Sequence, residues 1–107
     1  MRTPYGYTRQ DNGTWTVDDA AADVVRRIFR EFADPYRHTG LTEIAHDLNV
    51  DQVVTQRGGE WHASTVRYLL RNRAYAGRRA GFPAIVAPEV WDAAQRRLAG
   101  LLMGPTR

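Results

Sequence analysis

This 107-residue sequence has no cysteine and no lysine. Without cysteine the chain has no disulfide, no thiolate nucleophile and no cysteine zinc ribbon. Its three histidines, His38, His46 and His62, lack the spacing of metal ligands, so a metal site is not expected. No apolar run approaches the roughly 18 to 20 residues of a membrane span, and the first residues, Met1 to Pro4, do not lead into a signal peptide. These absences predict a cytoplasmic protein with no membrane contact.

Length and composition predict one compact domain. Hydrophobic residues make up 43% and aromatic residues 10% of the sequence, which is enough apolar surface to offset the entropy of folding. A chain of this length does not divide into two parts that each have a workable core. We therefore expect a single domain across residues 1–107, with a core at about 4–99 and a frayed or truncated end at 100–107.

Every basic residue is an arginine, and the arginines are unevenly distributed. A GC-rich genome favours arginine codons, and this codon preference is as good an explanation for the use of arginine as a functional role is. The distribution is more informative than the net charge of +3. Between Arg57 and Arg79 the chain has six arginines and one acidic residue, Glu60, whereas the rest of the chain has nine arginines and eleven acidic residues. Such segregation is typical of a surface that binds a polyanion.

The N-terminal third predicts a hairpin followed by a long helix. Asp11-Asn12-Gly13, flanked by aromatic residues, has the Asn-Gly pair that favours a two-residue turn with positive φ at both positions. The helix is predicted to open at Thr16, with Asp19 completing an imperfect capping box. It ends at Asp34-Pro35, because the residue before proline avoids helical geometry. The residues predicted to face inward are Val17, Ala21, Val24, Val25, Ile28 and Phe32.

The rest of the sequence predicts three shorter helices, a loop and a second hairpin. Gly40 is a tolerable N-cap for the second helix, Asn49 a plausible C-cap, and Pro88 a good first residue for the last helix. The fold class is therefore α+β and mainly α, with four main helices, small β-hairpins and a helix-turn-helix-like core. The predicted spans are 41–48, 63–72 and 88–99 for the helices, 50–60 for the loop and 81–86 for the hairpin. The residues predicted to form the core are Ile28, Phe29, Ile44, Leu48, Leu69 and Trp91.

The second and third helices form a helix-turn-helix in the broad sense, in which the second member enters the DNA major groove. Arg67 and Arg71 are four residues apart and therefore share a face, from which arginine can bind guanine O6 and N7. Arg73, Arg78 and Arg79 are predicted to flank the groove and to neutralise phosphates. The complete set of predicted DNA-binding residues is Arg57, His62, Ser64, Thr65, Arg67, Tyr68, Arg71, Arg73, Arg78 and Arg79.

Several of these residues also have a purely structural interpretation. Ser64 and Thr65 lie at the start of the third helix, where they can cap it as well as contact DNA. Tyrosines such as Tyr68 are more often half-buried core residues than base-stacking ones. Trp61 is expected to pack on the start of this helix as a hydrophobic staple. For any single arginine, a solvated surface role is about as common as DNA binding.

A series of short fragments spans the chain from Pro4 to Leu98. The fragments are Pro4-Tyr5-Gly6-Tyr7, Val24 to Phe29, Leu41 to Ala45, Leu48-Asn49, Trp61, Val66, Leu69-Leu70, Asn72, Tyr75, Gly77, Ile85-Val86, Glu89-Val90-Trp91 and Leu98. Each fragment is weak alone, but their order and spacing together resemble the recombinase domain of large serine recombinases. The sequence departs from that pattern at Arg73, where the family often has proline, and this change allows a slightly longer third helix.

The resemblance implies a phage integrase or transposon-type site-specific recombinase as the parent protein. In that family an upstream catalytic domain has the serine nucleophile, and a zinc ribbon with a coiled coil commonly follows. The only serine here, Ser64, lies in the predicted groove helix without the family's catalytic motif. The resemblance therefore implies a non-catalytic chain that binds half of a double-stranded attachment site and positions the catalytic domain of the same parent protein. It needs no cofactor, and it oligomerises only within the full-length protein.

Two other functions remain open from the sequence. One is a stand-alone helix-turn-helix regulator or excisionase, which needs no additional domains. The other is a protein-docking module, in which the arginine-rich face binds an acidic protein. Salt-sensitive DNA binding separates the docking module from both DNA-binding alternatives, because only phosphate contacts release counterions from DNA.

Overall fold

The computed structural model describes residues 3–37 and 39–103, apart from the side chains of Leu102 and Met103. The elements in chain order are β1 (Tyr7–Arg9), β2 (Trp15–Val17), α1 (Asp19–Ala33), α2 (Leu41–Val50), α3 (Ala63–Leu70), a 3₁₀ helix (Arg73–Ala76) and α4 (Pro88–Met103). The fold is α+β and mainly α, as predicted. Within this described part, no helix is long and apolar enough to cross a membrane.

The predicted first hairpin is confirmed, but its turn is different. β1 and β2 are antiparallel, with Thr8 opposite Thr16. Only Gly13 in the turn has positive φ, at +87°, and its N–H donates to the carbonyl of Gln10 at 2.9 Å. The Asn12 side chain instead accepts the N–H of Thr14 at 3.0 Å. The connection is therefore a tight turn followed by one left-handed residue, a three-residue hairpin loop, and the predicted two-residue turn is wrong.

Helix α1 begins three residues later than predicted, because Thr16 belongs to β2. Asp18 is the N-cap, and its side chain accepts the N–H of Ala21 at 3.3 Å. The helix ends at Ala33, and Asp34 is extended before Pro35, as predicted. Val25, Ile28 and Phe32 of the predicted inner face are fully buried, together with Ala22 and Phe29, whereas Val17, Ala21 and Val24 are half-buried.

The helices pack around one hydrophobic core. Helix α1 contacts the other three helices, and α2 packs against α3. Five of the six predicted core residues are buried, namely Ile28, Phe29, Ile44, Leu48 and Leu69. The sixth prediction is wrong in degree, because Trp91 is only half-buried and its indole N–H donates to the carbonyl of Asn72 at 2.9 Å.

Helix α3 ends at Leu70, two residues before the predicted end and without the extension expected from Arg73. Asn72 adopts an extended conformation, and its side chain accepts the N–H of Ala74 at 3.0 Å. It thereby caps the 3₁₀ helix, which the sequence analysis did not predict. Helix α2 runs two residues past its predicted end, to Val50. Helix α4 begins at Pro88 as predicted but continues through Gly100 to Met103, while residues 104–107 lie outside the described residues.

The predicted second hairpin at 81–86 is wrong, since the described chain has no strand there. Pro83 cannot donate to a strand ladder, and the N–H groups of Ile85 and Val86 both donate to the carbonyl of Tyr75, at 2.9 and 3.0 Å. The hydroxyl of Tyr7 donates to the carbonyls of Ala74 and Pro83, at 3.0 and 2.6 Å. Burial raises the pKa of Tyr7 to about 12, so its hydroxyl keeps its proton further into the alkaline range than an exposed tyrosine does.

Candidate nucleic-acid interface

The end of α2 sets the direction of the chain that leads to α3. Gln52 has a φ of +63°, and its N–H donates to the carbonyl of Asn49 at 3.0 Å. The N–H of Val53 donates to the carbonyl of Leu48 at 2.9 Å. This pair of bonds is a Schellman motif, in which the left-handed position usually belongs to glycine.

A side-chain clamp then fixes the start of α3. The sequence predicts Asn49 as the C-cap of α2, but the observed C-cap is Asp51. The Asn49 side chain instead accepts the N–H of Trp61 at 2.8 Å and donates to the carbonyl of Trp61 at 2.9 Å. The indole N–H of Trp61 donates to the carbonyl of Val53 at 3.1 Å, and the ring is buried. The 12-residue connection from 51 to 62 is therefore ordered by its own hydrogen bonds, although it is longer than the turn of a compact helix-turn-helix.

Helix α3 buries one face and exposes another, as predicted. Its inner residues are Val66, Leu69 and Leu70. On the outside, Ser64 is exposed and both Thr65 and Arg67 are half-buried. The N-cap is His62, so neither Ser64 nor Thr65 caps the helix.

Tyr68 is 75% exposed, which contradicts its interpretation as a half-buried core residue. An aromatic ring that is mostly exposed has few contacts with the protein to break when it binds a ligand. The exposure leaves the side chain accessible to a ligand on the outer surface of α3.

Three predicted residues converge with Tyr68 where the chain reverses after α3. Arg71, Arg73 and Arg79 line a shallow depression of about 410 Å³ together with Tyr68 and Asn72. We call these five residues the basic depression. All three arginines are exposed, and none forms an ion pair within residues 3–37 and 39–103. Their positive charges therefore remain uncompensated in the described part of the chain.

A second, smaller groove of about 170 Å³ adjoins the basic depression and shares Tyr68, Asn72 and Arg79 with it. Thr65 lies on its wall, and so does Tyr5, whose ring meets Trp61 edge-on at 5.3 Å. Thr65 and Tyr68 therefore face the same groove. Neither Tyr5 nor Asn72 is among the residues predicted to bind DNA, because neither has a charge that marks it as a site residue.

Arg78 differs from the arginines of the basic depression because it forms an ion pair. Its guanidinium donates to both carboxylate oxygens of Asp92, at 2.6 and 3.1 Å, and lies 5.5 Å from the ring of Trp91. The hydrogen bonds from Arg78 hold the pKa of Asp92 below its usual value, and the same bonds raise the pKa of Arg78. Asp92 is on α4, 14 residues away along the chain, so no local pattern predicts this pair.

Arg57 and Arg67 lie outside the basic depression. Arg57 is exposed in a tight turn, where the N–H of Thr55 donates to the carbonyl of Gly59 at 3.0 Å. Arg67 is half-buried on α3. Of the predicted set, the structure therefore brings Tyr68, Arg71, Arg73 and Arg79 together, and it leaves Arg57, Arg67 and Arg78 apart.

In the described ranges no group of three or more acidic, histidine or cysteine side chains is placed to hold a metal ion.

Comparison with known proteins identifies the family. The Recombinase family model matches residues 19–100, about three quarters of the chain. The matched part runs from the first residue of α1 and includes the whole basic depression. No curated protein and no solved structure gives a significant match. The match supports a role in site-specific recombination, within a recombinase parent protein and with DNA as a partner. The chain belongs to the Recombinase family.

Proposed function

We propose that this chain is the DNA-binding domain of a serine-type, site-specific recombinase from a mobile element. In this proposal it recognises one half of an attachment site and holds a separate catalytic domain of the same parent protein over the crossover point. The chain itself does not cut DNA. The observation that carries the proposal is the basic depression, which an exposed tyrosine lines together with three arginines that have no ion pair within residues 3–37 and 39–103.

The dimensions of α3 suit the major groove of DNA. An α-helix with its side chains is about 10 to 12 Å across, which fits the roughly 12 Å width of that groove. The hydrogen-bonded connection from α2 gives α3 a fixed direction relative to the core. A recognition helix needs such support, because base contacts depend on side-chain positions within a fraction of an ångström.

The proposal divides the predicted residues into two groups. Arg67 on α3 and Arg71, the C-cap directly after it, bind guanine edges, where a good bidentate contact contributes about 1 to 3 kcal/mol of discrimination. Arg73 and Arg79 neutralise phosphates, which fixes the register of the domain on DNA without reading sequence. Arg78 contributes less than the sequence predicts, because Asp92 already binds its guanidinium.

The test is DNA binding by fluorescence anisotropy across a series of salt concentrations. The specific duplex is a half-site recovered by selection from a random library, and the comparison duplex has a scrambled sequence. Alanine substitution of Arg67 or Arg71 is expected to weaken specific binding by about 1 to 3 kcal/mol and to affect scrambled DNA less. Alanine substitution of Arg73 or Arg79 is expected to weaken both duplexes alike and to reduce the salt slope by about one.

Arg30→Ala is the matched control, because Arg30 is exposed on α1. It should leave both affinities unchanged. Identical effects of the two groups of variants on both duplexes would show that α3 does not read the groove. Absence of salt-sensitive binding by the unaltered chain would instead favour the protein-docking module.

A further inference from the structure

Arg9 and Arg79 lie at the two ends of one aromatic stack that joins the hairpin to the basic depression. The guanidinium of Arg9 is 5.7 Å from the ring of Trp15. Trp15 stacks on Phe82, with 4.7 Å between ring centroids and 23° between ring planes. The guanidinium of Arg79 is 4.9 Å from the Phe82 ring. Two distant parts of the sequence thus place their cations on one connected surface.

The stack is held firmly at its centre. Phe82 is buried, and the ring of Tyr7 meets it edge-on at 5.1 Å. Tyr7 is in turn tied by its hydroxyl to the carbonyls of Ala74 and Pro83. The hairpin therefore cannot move away from Phe82 without breaking buried hydrogen bonds, and Arg9 keeps its position relative to Arg79.

Arg9 has the properties of a binding residue that the charge distribution along the sequence conceals. It is exposed at the end of β1, and it forms no ion pair within the described residues. It lies outside the arginine-rich segment from Arg57 to Arg79 and before the start of the family match at residue 19. Stacking on Trp15 leaves the N–H groups at the edge of its guanidinium plane able to donate to an anion.

We propose that Arg9 binds a second backbone phosphate of duplex DNA and so extends the interface from the basic depression onto the hairpin. The three steps of the stack place the two guanidinium carbons no more than about 15 Å apart, well within one helical turn of duplex DNA, which is roughly 34 Å long. Both cations can therefore contact backbone phosphates of the same duplex. This inference rests on the proposed function, because it adds a contact to the same DNA complex.

The chemistry of the stack explains why arginine suits this position. An arginine side chain loses rotational freedom when it binds a phosphate, and this loss weakens the contact. Stacking on Trp15 restricts the guanidinium before DNA arrives, so less freedom remains to be lost. A lysine would keep the charge but not the planar stacking. The contribution of Arg9 should therefore depend on both its charge and its shape.

The experiment compares Arg9→Gln, Arg9→Lys and Arg30→Gln with the unaltered chain by fluorescence anisotropy from 50 to about 300 mM salt, a range in which phosphate contacts dominate the salt dependence. Arg9→Gln is expected to reduce the salt slope by about one, equivalent to a loss of up to about tenfold in affinity at 0.1 M salt. The loss should be equal on half-site and scrambled DNA, because a phosphate contact has no sequence preference. Arg9→Lys should retain the slope but bind more weakly than the unaltered chain, and Arg30→Gln should change neither.

Thermal melting of each variant shows that the fold is intact, which is expected because both arginines are exposed. If the unaltered chain binds with a steep salt dependence and Arg9→Gln behaves like Arg30→Gln, the inference about Arg9 is wrong and the proposed function stands. If the unaltered chain shows no salt-sensitive binding, the proposed function fails, and the inference fails with it.

Discussion

Two arginine-containing faces of this domain differ in what their arginines contact. On α1, Arg26 pairs with Asp23 at 2.9 Å, and Arg27 bridges Glu31 at 3.1 Å and Asp51 at 2.7 Å. The three arginines of the basic depression have no such partners within the described residues. The same residue type therefore stabilises the fold on one face and leaves positive charge available on the other.

We infer from the comparison that a group of exposed arginines without ion pairs indicates a binding surface better than the number of arginines does. A guanidinium that already donates to a carboxylate must lose that bond before it can bind a phosphate. Arg26 also has a structural contact, since it donates to the carbonyl of Ile85 at 3.1 Å. Arg27 ties α1 to the end of α2 through Asp51. Substitutions on the two faces should therefore affect different properties.

The largest effect is expected from Asn49→Ala, which removes the clamp that supports the binding face. The buried N–H and carbonyl of Trp61 would both lose their partners, and each unsatisfied group costs about 1 to 3 kcal/mol. We expect the free energy of unfolding to fall by about 2 to 4 kcal/mol in urea titrations followed by circular dichroism. Binding to the half-site should weaken although no charge is removed.

His46→Ala is the matched control, because His46 is exposed on the same helix. It should change the free energy of unfolding by no more than about 0.5 kcal/mol. An Asn49→Ala protein as stable as this control would show that the clamp does not support α3.

Arg27→Ala and Arg71→Ala test the comparison directly, because they should have opposite profiles. Glu31 is 9% exposed and loses its partner in Arg27→Ala, so we expect a loss of about 1 to 3 kcal/mol in stability and an unchanged salt slope. Arg71 is exposed and has no ion pair in the part of the chain that the structure describes, so Arg71→Ala should lower DNA affinity while stability changes by about 0.5 kcal/mol or less. Urea titration and anisotropy on both variants measure the two properties. Similar profiles for the two variants would remove the distinction between the faces.

Much of the fold is predictable from helical periodicity, because apolar residues at every third or fourth position define which face of a helix is buried. The inner residues of α2 and α3 follow this rule. The predicted second hairpin fails because residues 81–86 are held by hydrogen bonds to Tyr75, Tyr7 and Arg26 rather than by a partner strand. The turn at Gly13 also differs, because the Asn12 side chain takes the backbone contact that a two-residue turn would have made.

The candidate site is predictable only in part, because contacts between distant parts of the sequence decide which arginines have partners. Arg71, Arg73 and Arg79 are close in sequence, so a count of local charge finds them. Arg78 is in the same run, but its partner Asp92 is on another helix, and sequence distance conceals the pair. Arg9 shows the reverse case, because its connection to Arg79 passes through aromatic rings from two separate segments.

Gln52→Gly is expected to stabilise the domain by about 0.5 to 1 kcal/mol. Gln52 has a φ of +63°, which costs an L-residue roughly 1 to 2 kcal/mol, and the gain is partly offset by the greater backbone entropy of glycine when unfolded. DNA binding should not change, because the clamp from Asn49 remains. Urea titration measures the gain, and Asp51→Gly, at a neighbouring position with a φ of −77°, should destabilise instead. A loss of stability in both variants would show that Gln52 is not strained.

The smallest effect is expected from Asp92→Asn, which would release Arg78 towards DNA. At pH 7 the salt slope should rise by up to about one as Arg78 becomes able to bind a phosphate. Asp47→Asn on the exposed face of α2 removes the same charge and should leave the slope unchanged. Because Arg78 holds the pKa of Asp92 below its usual value, the pair is formed above that usual value and is lost only as pH falls through the lowered pKa. In the unaltered chain Arg78 should therefore stay paired with Asp92 from about pH 7 to about pH 5, above the usual pKa of an aspartate. Equal slopes in the two variants would mean that Arg78 cannot reach DNA even when it is released.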